Sequence, residues 1–273
     1  MNKLSIEERK RVVAALVEGS SLRAVTRMTG VHRTTVMKLL CDLGRACSEY
    51  QDKAFRNLPC KRIQCDEIWN FVYAKEKNCP FEQKKKGAGD CWTWVALCPD
   101  TKLVPCWFIG QRDAGCAYHF MHDLKERLAN RVQLTTDGHR TYLTAVEDAF
   151  GCDVDYAMLA KIYGSAPEGS EVRYSPAICM GTRKAVITGN PDFAHVSTSF
   201  VERQNLTMRM SMRRFTRLTN GFSKKVENLE HAVALHYMHY NFCRIHQSLR
   251  VTPAMESGIT DHVWSLEELL SLL

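Results

Sequence analysis

Apolar residues in the first 45 positions recur at helical spacing in three short runs: Val12, Val13 and Leu16; Leu22, Val25 and Met28; and Val31, Val36, Leu39 and Leu40. This spacing predicts three amphipathic helices within residues 5–44, where side chains three and four apart share a face. Ser5 caps the first helix, Ser20 or Ser21 the second, and Gly30 breaks the chain before the third. Small Ala24 permits a close crossing. Residues 48–58 are polar and read as a connection to the next unit.

From Lys61 the period changes to two. Ile63, Cys65, Glu67, Trp69, Phe71 and Tyr73 alternate with Gln64, Asp66, Ile68, Asn70 and Val72, the signature of a strand. Asp66 and Glu67 therefore face opposite sides, so only one joins a given site, and alternation does not say which. Residues 74–90, with Lys84, Lys85 and Lys86, read as a hairpin connection. Strands follow near 91–97 and 103–109, then a helix over 114–128 and a strand over 132–136 that ends at Asp137. Gly138 precedes a helix reaching Phe150, and a short strand is expected near 154–158. Three strands in meander followed by alternation predict an α/β fold with a mixed sheet flanked by helices. Asp137 then occupies the carboxyl edge of the sheet, where open α/β folds place ligands. Glycines and prolines between Ala160 and Ser197 predict a loop or insertion. A helix over 200–215 carries Val201, Met208, Met212 and Phe215 on one stripe, with Glu202, Arg209 and Arg213 on a neighbouring one.

A chain of 273 residues, 45% hydrophobic and 25% charged, has the composition of a globular protein with ample core. The net charge of +7 is modest, but residues 203–225 hold Arg203, Arg209, Arg213, Arg214, Arg217, Lys224 and Lys225 with no Asp or Glu. Such a concentration favours phosphate contact over a merely solvated helix face. The exposed start of the third helix offers His32, Arg33, Thr34, Thr35 and Lys38, donors suited to base edges and phosphates in a major groove. A small bundle for subunit contacts is the plainer alternative. The 12 cysteines include no CxxC pair, and the opening MNKLSIEERK has no apolar signal core, so reduced, structurally inert thiols in a cytoplasmic protein are expected. No run approaches the roughly 18 apolar residues of a membrane span. His236, His239, Cys243 and His246 are better explained by helix packing than by zinc. Trp92, Trp94 and Trp107 alternate on strands and suit sheet packing better than base stacking.

Four segments carry a likeness: CDEIWNFVYAKEK around Asp66, TTDGHRTY around Asp137, FVERQNLTMRMSMRRFTRLTNGFSKK around Glu202, and YNFCRIHQSLRVTPAM near the end. With the leading helices, they resemble bacterial insertion-sequence transposases of the DDE type, and are especially similar to the insertion-sequence-one group. The resemblance implies a helix-turn-helix domain over 1–47, a linker over 48–60, an RNase H-like catalytic domain over 61–225, and a helical extension over 226–273 packed on it. It implies Asp66, Asp137 and Glu202 as the catalytic, metal-binding triad, choosing Asp66 over Glu67. It also implies two Mg²⁺ ions, with Mn²⁺ able to substitute, and water followed by a released 3′-hydroxyl as nucleophiles. It implies that His246 braces the end of the catalytic domain or approaches DNA. The expected partners are double-stranded DNA, as terminal inverted repeats and target, and at least one further copy of the chain, at the nucleoid. A cysteine-rich zinc module found in some relatives is missing. Alternatives are a DNA-binding regulator with an inactive RNase H-like domain, or a nuclease of that fold without strand transfer.

Overall fold

The computed structural model describes residues 4–164, 179–216 and 220–273. Three helices open the chain: α1 (Ile6–Val17), α2 (Leu22–Thr29) and α3 (Arg33–Ala54). Ser5 and Glu8 form a reciprocal capping box on α1, and Ser21 caps α2. Gly30, at φ 73°, takes the left-handed conformation that ends α2. His32 then caps α3 through its side chain.

α3 does not stop near residue 44. It runs for 22 residues, so Ser48 to Ala54, expected as linker, are its last turns. Leu43, Cys47 and Gln51 continue its buried stripe, while Ser48, Glu49, Asp52 and Lys53 form the solvated side that gave the stretch its polar character. The buried stripe lies against α8 (Val226–Met238). Gly44 is required there, because a Cβ would lie 2.4 Å from the His231 carbonyl oxygen. Gln51 donates across the interface to the Ala234 carbonyl at 3.1 Å. One continuous core therefore joins the leading helices to the rest of the chain.

The sheet has six strands: β1 (Arg62–Val72), β2 (Gly89–Leu97), β3 (Cys106–Gly110), β4 (Val132–Asp137), β5 (Val154–Tyr163) and β6 (Cys179–Thr188), in the spatial order β3-β2-β1-β4-β5-β6. β1, β4 and β5 are parallel neighbours; the β1–β2, β2–β3 and β5–β6 pairs are antiparallel. This is the expected mixed α/β sheet. Two expectations fail at its far edge: β5 runs to Tyr163 rather than ending near 158, and β6 lies where loop was expected. β6 is exposed along most of its length, so it lacks the apolar alternation that marks a half-buried strand.

α5 (Ala114–Arg127) and α6 (Thr141–Phe150) pack together, with α5 against β3, burying Phe120, Leu124, Tyr142 and Val146. α7 (Ser199–Ser211) packs on β1 and β2. It ends at Ser211, short of the expected 215, and a 3₁₀ turn over Arg213–Phe215 follows. The connection before β2 contains a short helix, α4 (Phe81–Lys84), where Lys84 pairs with Glu76 and Lys85 with Glu82 at 2.9 Å. Those lysines are engaged locally. After α8 come a π-helical turn over His239–Cys243, α9 (Pro253–Glu256) and α10 (Leu266–Leu270). Asn241 exchanges two 3.1 Å hydrogen bonds with the backbone of Val104, tying the end of the chain to the loop before β3. Among the described residues, no helix is long and apolar enough to cross a membrane.

Candidate active site

Register brings the first two acids together. Cys65 on β1 pairs with Thr136 on β4 in parallel, so the next residues, Asp66 and Asp137, lie side by side on one face of the sheet. β4 ends at Asp137 while β1 runs on, leaving both carboxylates at an open strand end. Each Asp137 oxygen accepts a hydrogen bond, Oδ1 from the His139 backbone N–H at 3.0 Å and Oδ2 from Arg112 Nη2 at 3.2 Å.

Glu202 reaches the same cleft because Gln64 docks α7. Gln64 stands two residues before Asp66, hence on the same face, and its side-chain oxygen accepts from the backbone N–H groups of Phe200 and Val201 at 3.0 and 3.2 Å. These are orphan donors at a helix start. Asn205, one turn beyond Glu202, donates to Asp66 Oδ2 at 2.9 Å. The Glu202 carboxylate accepts from Thr198 Oγ1 at 2.6 Å and from Lys161 Nζ at 2.5 Å. Lys161 follows Leu159 by two on β5, and Leu159 pairs with Asp137, so this lysine rises on the triad's face. Asp66, Glu67, Glu202, Asn205, Leu206 and Arg209 line a common shallow cleft.

Alternation was expected to let only one of Asp66 and Glu67 join a given site. Their side chains do leave opposite faces, yet oxygen atoms of Asp66, Glu67 and Asp137 lie within 4.8 Å of one another. Exclusion failed because the open end of β4 lets a carboxylate on the far face approach Asp137. Glu202 stands outside that group. Glu67 pairs across strands with Trp94, whose indole is buried edge-on to Tyr142 at 5.4 Å. Its Oε2 accepts from Arg112 Nε at 3.0 Å, and the buried Tyr142 hydroxyl lies beside the same carboxylate.

The acids perturb one another. Burial, then the charges of Asp137 and Glu202, push Asp66 up to about 7. Burial and Asp137 push Glu67 up to about 7, against the opposing pull of Tyr142 and Arg112. The cleft thus holds more negative charge than Arg112 and Lys161 offset. Hard oxygen donors in excess of local cations, with Asn205 Oδ1 buried and unpartnered, could hold a metal ion.

The cationic residues divide. Arg203 and Arg213 are exposed, and Arg209 lies half-buried in the cleft, donating to the Phe215 carbonyl at 3.3 Å. Arg214, expected to contact DNA, is half-buried. The chain bends after α7 to bury Phe215, Arg214 Nε donates to Ser223 Oγ at 2.8 Å, and burial pushes its guanidinium down to about 10. His32, Arg33, Thr34, Thr35 and Lys38 are all exposed at the start of α3. His246 braces a turn: its backbone N–H donates to the Val251 carbonyl at 2.9 Å and its ring meets Ser248 Oγ at 3.1 Å. His236 is buried and held neutral, pushed down to about 3 by that burial. Arg217 lies outside the described residues.

No protein-family model matches the chain, and no curated protein matches it significantly.

Proposed function

We propose that this chain is a DDE-type transposase that binds the ends of an insertion sequence and cuts and joins DNA strands. One observation carries the reading: Asp66 and Asp137 stand side by side on parallel strands, with Glu202 in the same cleft on a helix docked beside them. An RNase H-like arrangement of the sheet belongs to this reading, as does a helix-turn-helix role for α2 and α3. The exposed donors His32, Arg33, Thr34, Thr35 and Lys38 would then face the major groove, with Arg203, Arg209 and Arg213 taking phosphates near the cleft.

Asp66, Asp137 and Glu202 are the residues that would hold Mg²⁺, with Glu67 close by. When bound, paired divalent ions stabilise charge on the attacking and leaving oxygens of a phosphodiester. The protein orients the carboxylates: Asn205 fixes Asp66, the His139 N–H fixes Asp137, and Thr198 fixes Glu202. In the first reaction water attacks phosphorus, the P–O3′ bond breaks, and a 3′-hydroxyl and a 5′-phosphate result. In the second, that 3′-hydroxyl attacks a target phosphodiester, forming one P–O bond as another breaks. Joining two element ends in this way requires at least two copies of the chain.

The test is purified protein with a labelled terminal-repeat end and a plasmid target in Mg²⁺ or Mn²⁺. Cleavage and joining are expected, and Asp66→Ala, Asp137→Ala and Glu202→Gln should abolish both while leaving DNA binding intact. Cleavage without joined product would identify a nuclease. Binding without cleavage would identify a regulator. Activity untouched by the three substitutions would refute the reading.

A further inference from the structure

We propose that Arg112 is the built-in counter-cation of the acid cleft, and that Glu67 is the anchor onto which it withdraws when a divalent cation takes Asp137. The inference rests on the metal-binding reading of the cleft and assigns roles to two residues outside the triad.

Arg112 is held in place from both sides. Before it, the Gln111 carbonyl accepts from the buried Trp94 indole at 3.1 Å, and the Gln111 side chain donates to the Asp90 carbonyl at 2.9 Å. After it, Asp113 caps α5 by accepting from the Cys116 N–H at 2.9 Å. Between these fixed points, the guanidinium is shared by two carboxylates: Nε on Glu67 Oε2 at 3.0 Å and Nη2 on Asp137 Oδ2 at 3.2 Å. A divalent cation on Asp137 would meet that positive charge within a few ångströms, so the two compete for one oxygen.

Glu67 provides for the outcome. Its side chain is 1% exposed, one oxygen already holds Arg112, and the buried Tyr142 hydroxyl lies beside the same carboxylate. The Nε/Nη2 edge of arginine matches both oxygens of one carboxylate. A modest swing of Nη2 from Asp137 to Glu67 would complete that pairing and free Asp137 at once. Asp137 would keep its orientation through the His139 N–H. Arg112 is thus a positioning residue, never bound to the metal.

Mn²⁺ titration calorimetry on the full chain tests this with Arg112→Gln, Glu67→Gln and the double variant. Removing the competitor should tighten Mn²⁺ binding about tenfold, and removing its refuge should weaken binding about tenfold, on the scale of one unit charge at short range. The double variant should match Arg112→Gln, because without Arg112 there is nothing to receive. Weaker binding in Arg112→Gln would overturn the proposal. So would an equal loss from Glu67→Gln in both backgrounds, which would make Glu67 itself a ligand. If Glu67→Gln fails to fold, the direction of the Arg112→Gln effect decides alone. Wild-type protein that binds no Mn²⁺, or binding that survives Asp66→Asn, would instead refute the metal reading on which the proposal stands.

Discussion

Replacing Gln64 with leucine should loosen the helix that carries Glu202. Gln64 is 3% exposed, and its oxygen serves two backbone N–H groups in the first turn of α7. Leucine fills similar space but accepts nothing, so both donors lose their partner where water is largely excluded. Each lost hydrogen bond costs about 1 kcal/mol, more where a buried donor stays unsatisfied, giving about 2–3 kcal/mol in total. A chain of this size loses roughly 2–4 °C of melting temperature per kcal/mol, so a fall of roughly 5–10 °C is expected. Thermal unfolding followed by circular dichroism, without metal, is the assay. The same variant should bind Mn²⁺ more weakly, because Glu202 reaches the cleft only through the docked helix. A melting temperature within about 2 °C of wild type would show that α7 is placed by other contacts and refute the reasoning.

Asp66, pushed up to about 7, holds a proton in the folded chain at pH values where the unfolded carboxyl has lost it. The stability from that raised value is full below the ordinary carboxylate range and is lost as pH rises through about 7. Metal-free protein should therefore melt lower at pH 8 than at pH 5, and Asp66→Asn should narrow the difference, read by melting across that range. Gly44→Ala should destabilise by about 3 kcal/mol or more, since its Cβ would overlap the backbone of α8; chemical denaturation measures this. Arg33→Ala and Lys38→Ala should weaken DNA binding and each reduce the slope of log affinity against log salt by about 1, measured by fluorescence anisotropy.

Much of the sheet could be read in the sequence because its inner strands are largely buried and rich in apolar residues. β1 is the clearest case, and the position of Asp137 at a strand end followed from the glycine behind it. The polar outer side of α3 disguised its last turns as linker, although Leu43, Cys47 and Gln51 kept the helical period. β6 was missed because both its faces are largely exposed. Of the site, the carboxylates were legible and their supports were not. Arg112 meets Glu67 across 45 positions, Lys161 meets Glu202 across 41, and Gln64 meets α7 across 136. Local pattern carries no trace of such long contacts. Gln64 left one signal, an uncharged polar residue two positions before Asp66 and on the same face of β1. Glu67 was set aside by the resemblance, while alternation said only that Asp66 and Glu67 leave opposite faces, which the ending of β4 makes insufficient to keep them apart.

Cutting and joining by these acids requires a common metal centre. Crystals of the full chain soaked in Mn²⁺, with anomalous diffraction to locate the ions, test it most directly. We predict manganese at about 2.0–2.4 Å from carboxylate oxygens of Asp66 and Asp137, with Glu202 released from Lys161 and turned toward the same centre. No manganese in the cleft, or manganese there with Glu202 still bound to Lys161, would contradict it.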